Sequence, residues 1–159
     1  MKEIKFLSIS IFVLLLTNTV FSQTEKTVRW LNFEQLEDSL AIKPKNVFID
    51  FYADWCGPCI KMQKDVFTDK KVIALLNKEF YAVKMDAESK DTITFGGQKF
   101  VNERINKRNP IHQVPLLMAR KKNKPFSLPA IVLLDKNFKA TARYFQYLNV
   151  KQLIKVLSK

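Results

Sequence analysis

Apolar residues along this chain fall into two spacings, continuous or alternating short runs and stripes that recur every three to four residues. Val47-Phe48-Ile49-Asp50-Phe51-Tyr52 is rich in β-branched and aromatic residues and predicts a buried strand. Ala130-Ile131-Val132-Leu133-Leu134 is wholly apolar, as expected of a strand covered on both faces. Thr27–Trp30, Tyr81–Met85 and Ala140–Tyr147 predict three more strands, the last after an Asp135-Lys136-Asn137 turn. Helical spacing lies between them. Phe33–Ile42 predicts a first helix, and Ile60–Val66 a second with Pro58 tolerated in its opening turn. Asp69 can cap a third, in which Val72, Leu75 and Leu76 recur and Ile73 and Phe80 broaden the stripe. Asn149 can cap a last helix whose Val150, Leu153, Ile154 and Leu157 share a face.

Between Asp86 and Pro129 the pattern loosens. Thr92–Phe95 and Lys99–Val101 flank Gly96-Gly97 and predict a hairpin with a glycine turn. A phosphate-cradling loop is not indicated, because neither the glycine spacing nor a following Lys-Ser/Thr is present. His112–Lys122 predicts a helix with Val114, Leu117 and Met118 on one side, and His112 reads as a helix-start residue rather than a ligand or base. The order of elements gives an α/β class: a mixed central sheet with helices on it.

At 159 residues one domain is the default. Residues 1–22 stand apart from it. Lys2 and Lys5 precede the apolar run Phe6–Leu16, and Val20-Phe21-Ser22 suits a cleavage site, so a signal peptide cut before Gln23 is expected. The run falls short of the roughly 20 residues that span a bilayer, and Thr17-Asn18-Thr19 interrupts it. A retained, membrane-associated segment is the competing reading. No cysteine follows the run to support a lipid anchor. The domain is then 23–159, exported, with a periplasmic location expected.

A net charge of +12 raises the question of nucleic acid. Export argues against it, as does the lack of a basic motif interleaved with aromatics. Arg104-Ile105-Asn106-Lys107-Arg108 and Arg120-Lys121-Lys122-Asn123-Lys124 are the two basic clusters. They read first as solvated faces, and otherwise as steering toward acidic partners or an anionic membrane surface.

The candidate chemistry lies in the only two cysteines, Cys56 and Cys59. A loop this short does little to restrict the unfolded chain, so the value of the pair is chemical. They sit where a strand ends and a helix begins. A free thiol has a pKa of about 8.5, which falls to roughly 3.5–7.5 at such helix starts. Cys56, expected at the exposed end, is the candidate nucleophile, and Cys59, one turn in and shielded, the candidate resolving thiol. A zinc site needs about four ligands, whereas the chain holds two cysteines and one histidine, so no metal and no cofactor are expected.

The run Asp50-Phe51-Tyr52-Ala53-Asp54-Trp55-Cys56-Gly57-Pro58-Cys59 resembles the thioredoxin superfamily. Together with Lys61-Met62, Asp65-Val66-Phe67 and Val83-Lys84-Met85-Asp86, it is most similar to exported thioredoxin-like reductases of bacterial envelopes. It is also similar to the C-terminal thioredoxin-like domains of membrane electron transporters. The resemblance implies a thioredoxin fold with an insertion, about 87–127, before the cis-proline strand. It implies that Asp50 is a buried carboxylate beneath the dithiol that takes a proton from Cys59. Trp55, Gly57 and Pro58 would shape the active site, Trp55 by shielding Cys56 and Pro58 by stiffening the turn of a reductant. Leu128 and a cis Pro129 would bind an extended substrate by its backbone.

The implied activity is thiol–disulfide oxidoreduction, in the reducing direction. The implied partners are disulfide-containing exported proteins and an electron-donating thiol–disulfide protein, membrane-bound or soluble, with the protein itself a monomer. Two alternatives stay open: a dedicated reductase in cytochrome or metalloprotein maturation, and a chaperone-like client-binding module regulated by its dithiol. Three departures bear on selectivity. Gln146 stands near a customary glycine, Asn137-Phe138 replaces a familiar Asn-Gly, and the segment from Asp86 to Pro129 is long. Gln146 and the insertion are expected to narrow the substrate groove.

Overall fold

A five-stranded sheet organises the computed structural model, which describes residues 25–121 and 123–158. The expected leader, 1–22, lies outside the described residues. The strands are β1 (Trp30–Leu31), β2 (Asn46–Tyr52), β3 (Phe80–Asp86), β6 (Ala130–Leu134) and β7 (Ala140–Tyr144), in the order β1-β3-β2-β6-β7. The first three run parallel, while β6 is antiparallel to β2 and β7 to β6. This is the mixed α/β sheet of a thioredoxin fold.

Local chemistry starts the helices where the sequence marks them. Asn32 and Gln35 form a reciprocal capping box at α1 (Phe33–Ile42), and Asn149 and Gln152 repeat it at α5 (Val150–Leu157). Asp69 accepts from the Lys71 and Val72 N–H groups at α3 (Lys70–Glu79). Successive residues of β2 then divide between two cores. Phe48 packs with Met62 of α2 (Gly57–Asp65), Leu76 of α3 and Leu153 of α5. Val47, Ile49 and Phe51 pack on the other face with Phe33 and Leu36 of α1.

Several boundaries differ from expectation, and three of them have a visible cause. The first strand is Trp30–Leu31 rather than Thr27–Trp30, because the preceding backbone is held by a side chain. Asn77 Oδ1 accepts from the Arg29 N–H (2.9 Å), and its Nδ2 donates to the Thr27 carbonyl (2.9 Å). The strand Ala140–Tyr147 stops at Tyr144, which pairs with Ile131 next to the start of β6. The helix His112–Lys122 is shortened to α4 (Gln113–Ala119), since Arg120 is already extended. Within α4 the buried residues are Val114, Pro115 and Ala119, and Leu117 faces out, contrary to the expected stripe.

The insertion is folded rather than loose. A hairpin of β4 (Ile93–Phe95) and β5 (Gln98–Phe100) turns through Gly96 and Gly97, whose φ angles of 62° and 70° suit glycine. It docks on α1, where Glu34 and Glu37 accept from the Thr94 and Gly96 N–H groups (2.9 and 3.1 Å). It also explains the departure at the last turn. Phe138 adopts φ 59°, a cost of roughly 1–2 kcal/mol for a residue with a Cβ, and its ring stacks on Phe95 with centroids 5.0 Å apart.

Buried His112 caps α4. Its Nδ1 accepts from the Val114 N–H (3.1 Å), which leaves Nε2–H to donate to the Asp91 carbonyl (3.2 Å). Neutral imidazole satisfies both contacts, and burial pushes its pKa below the usual value against the opposing pull of the Asp91 carbonyl. The unfolded chain therefore takes up the proton first as pH falls below about 6.5. His112→Ala is expected to cost about 2–4 kcal/mol in urea denaturation at pH 7.5, from the lost cap and the cavity. The wild type is expected to lose part of that advantage by pH 5.

Candidate active site

β2 ends at Tyr52, and the chain turns through Ala53-Asp54-Trp55 into α2. The turn is closed by Cys56 N–H donating to the Ala53 carbonyl (3.0 Å). Cys56 is the N-cap of α2, and its Sγ accepts from the Cys59 N–H at 3.2 Å. The two cysteines are joined as a disulfide. Pro58 lies in the first turn, where no helical N–H is needed. Gly57 has open space where a Cβ would sit, so it leaves the surface beside the sulfurs bare without being required by packing. In the reduced form the same N–H and the helix N-terminus favour thiolate at Cys56 over thiol.

Cys56 was expected at the exposed end, yet it is 3% exposed and Cys59 2%. Ala53 is buried with both sulfurs, and Tyr52 and Leu128 pack against them. Leu128 precedes a cis peptide to Pro129, directly before β6. The exposed group is Trp55, at 67%. Asp50 lies in the middle of β2, registered against Lys84 of β3 and Ile131 of β6, and is 2% exposed. Burial pushes its carboxyl up to about 7, against the opposing attraction of Lys84. The fold thus brings Cys56, Cys59 and Leu128 into one cluster, with Trp55 and Pro129 as their immediate chain neighbours and Asp50 buried in the strand that leads to them.

Beside this cluster runs a groove of about 330 Å³ that begins at Trp55 and Leu128. Its apolar lining includes Ile111, Leu116, Pro125 and Phe126, and its charged lining is Arg104, Arg120, Lys124 and Glu88. Apart from Trp55 and Leu128, every lining residue belongs to the insertion. Gln146 is exposed and does not line this groove. Backbone bonds tie the insertion to the site, Ala87 N–H to the Tyr52 carbonyl (2.7 Å) and His112 N–H to the Ala87 carbonyl (2.8 Å). Among the described residues, no three His, Cys, Asp or Glu side chains gather as a metal site. No described helix is long and apolar enough to cross a membrane.

The family model described as thioredoxin-like matches residues 29–136. The chain belongs to the thioredoxin-like family. The match includes the dithiol, the Leu128-Pro129 bond and the insertion. The thiol:disulfide interchange protein DsbD of Vibrio vulnificus is 41% identical over 58 residues, 35% of this chain and 10% of that protein. A thioredoxin-like protein of Synechocystis is 38% identical over 56 residues, 35% of this chain and 50% of that one. The aligned segments therefore span from a tenth to a half of these curated relatives.

Solved structures share the fold, among them the following two. The oxidoreductase DsbH superposes with a TM-score of 0.59 at 17% identity, covering 89% of this chain and 90% of its own. A thioredoxin from Thermus thermophilus gives 0.56 at 18% identity, covering 83% and 85%. This thioredoxin-like chain carries the paired-cysteine arrangement of a thiol–disulfide oxidoreductase. Sequence reasoning did not reach the cover over the sulfurs from Tyr52, nor the convergence of Arg104, Arg120 and Lys124 on the site. The basic clusters were visible, but their placement beside Trp55 was not.

Proposed function

We propose that this protein is an exported thiol–disulfide oxidoreductase that reduces disulfides in other exported proteins. The observation that carries the reading is the Cys56–Cys59 disulfide at the start of α2, packed against Leu128 next to cis Pro129. Reduced Cys56, as thiolate, attacks one sulfur of a client disulfide, forming a mixed disulfide and releasing the other client sulfur as thiolate. Cys59 then attacks Cys56 Sγ, releasing the second client sulfur and re-forming the Cys56–Cys59 disulfide. Two electrons pass from the dithiol to the client. Asp50 takes the proton that Cys59 sheds, a transfer that suits a buried carboxyl with a pKa of about 7. The Leu128–Pro129 backbone holds the client strand, and Trp55 and Pro58 border it. A thiol–disulfide donor in the same compartment returns the protein to the dithiol form.

The reduction potential of the Cys56–Cys59 couple, measured by equilibration with glutathione buffers, tests the direction. A value near −270 mV is expected, as for thioredoxin. A value near −120 mV overturns net reduction in favour of oxidation.

A further inference from the structure

Three cations of the insertion meet at the dithiol's groove without a carboxylate partner. The salt bridges among the described residues are Arg29–Glu25 and Lys78–Glu79, so Arg104, Arg120 and Lys124 are neutralised by no other described side chain. The only acidic residue lining the groove is Glu88. One of the cations, Arg104, is also held in place by the fold. Buried Asn102 donates to the Ser89 carbonyl (3.0 Å) and accepts from the Arg104 N–H (3.0 Å), which ties the Arg104 backbone to the segment that follows β3. Arg104 Nε donates to the Asn109 carbonyl (3.0 Å), leaving the rest of its guanidinium to the groove. Arg120 sits at the C-terminal end of α4, where it ends that helix and lines the same wall.

The same groove has an apolar floor that includes Ile111, Leu116 and Phe126, and Trp55 and Leu128 of the dithiol site line it too. A segment whose cysteine lies at Cys56 would place its neighbouring residues over that floor. An apolar residue next to the cysteine would meet the floor, and carboxylates beyond it would meet the three cations. A basic neighbour would face like charges with only Glu88 to offset them.

We propose that this groove selects protein disulfides flanked by acidic residues, so that the redox partner presents an acidic polypeptide segment beside its reactive cysteine. The inference rests on the oxidoreductase reading above. Charge complementarity decides the occupant. Three exposed cations lining one groove of a strongly basic chain attract a polyanionic segment over a distance and favour it once docked.

The test uses disulfide-linked peptide dimers that differ only in Glu, Gln or Lys at the positions flanking the cysteine, with kcat/KM for their reduction as the readout. The Glu peptide is expected to exceed the Lys peptide by about 10-fold or more at low salt, and the ratio to shrink as salt rises from about 20 to about 500 mM. In Arg104→Gln/Arg120→Gln/Lys124→Gln the ratio is expected to fall close to one. A control with equal charge loss outside the groove, Lys70→Gln/Lys71→Gln/Lys155→Gln, is expected to keep the preference. Equal rates on Glu and Lys peptides overturn the proposal. So does a control that loses the preference as fully as the groove variant, which would assign the effect to overall charge. Oxidised glutathione reduced as fast as the Glu peptide would make the groove a small-anion site and also overturn it. Failure to reduce any of the peptides overturns instead the oxidoreductase reading beneath it.

Discussion

Cys59→Ser is expected to stop turnover and to accumulate mixed disulfides through Cys56, whereas Cys56→Ser is expected to form none. The asymmetry follows from the helix start. Cys56 is the N-cap whose sulfur accepts the Cys59 N–H, so the local field favours its thiolate. Cys59 lies one turn in with Cys56 Sγ adjacent, and since the two residues are almost equally buried, it is the helix start rather than access that separates their roles. Without Cys59 the first exchange proceeds and the second has no intramolecular nucleophile. Reduction of a protein disulfide then falls to the rate of uncatalysed exchange. Non-reducing electrophoresis followed by mass spectrometry reads both the adducts and the residue that carries them. Adducts through Cys59 in the Cys56→Ser variant, at the level seen through Cys56, would reverse the assigned roles. Undiminished client protection after replacing both cysteines would favour a chaperone-like module over an enzyme.

The second large effect is a gain in stability at the expense of rate. Asp50 is buried in β2 with its carboxyl at about 7, against an ordinary value of 3.8. Protonated Asp50 is thus favoured by the folded state. Its contribution is fully present below pH 4 and is lost as pH rises through 7, because the folded protein must then hold an unfavourable buried charge. Three units of pKa correspond to about 4 kcal/mol. Asp50→Asn, which keeps the shape and removes the charge, is expected to exceed the wild type by up to about 4 kcal/mol in urea denaturation at pH 8. At pH 4 the two are expected to be nearly equal.

The same variant is expected to slow resolution of the mixed disulfide by about 10²-fold or more at neutral pH, through loss of the proton acceptor. The inflection near pH 7 in the rate of that step should disappear with it. A variant that gained the stability but kept the wild-type rate and pH profile would remove Asp50 from the chemistry and leave it as a buried carboxyl alone.

Most of the fold was legible because its elements carry their instructions locally. Asn32 with Gln35, Asp69, and Asn149 with Gln152 cap their helices through bonds within three residues of sequence. The apolar runs of β2 and β6 can be stable only inside a covered sheet. Reading failed where a distant partner decides. Thr27–Arg29 has the composition of a strand, yet Asn77, about fifty residues away, occupies its hydrogen-bonding groups. Leu117 fits a helical stripe by spacing, but α4 is only seven residues long and turns Val114, Pro115 and Ala119 inward instead.

At the site, the spacing of the cysteine pair, the strand-to-helix junction that places it and the proline tolerated in the first turn could all be read from the residues alone. Two residues of separation and a helix start are local properties, settled by backbone geometry. Tertiary structure alone decided the burial of both sulfurs under Tyr52 and Leu128, the burial that lifts Asp50, and the gathering of Arg104, Arg120 and Lys124 beside Trp55. Each of these depends on contacts between segments far apart in the chain. Solvation and charge fields follow distance in space, and spacing along a sequence does not record that distance.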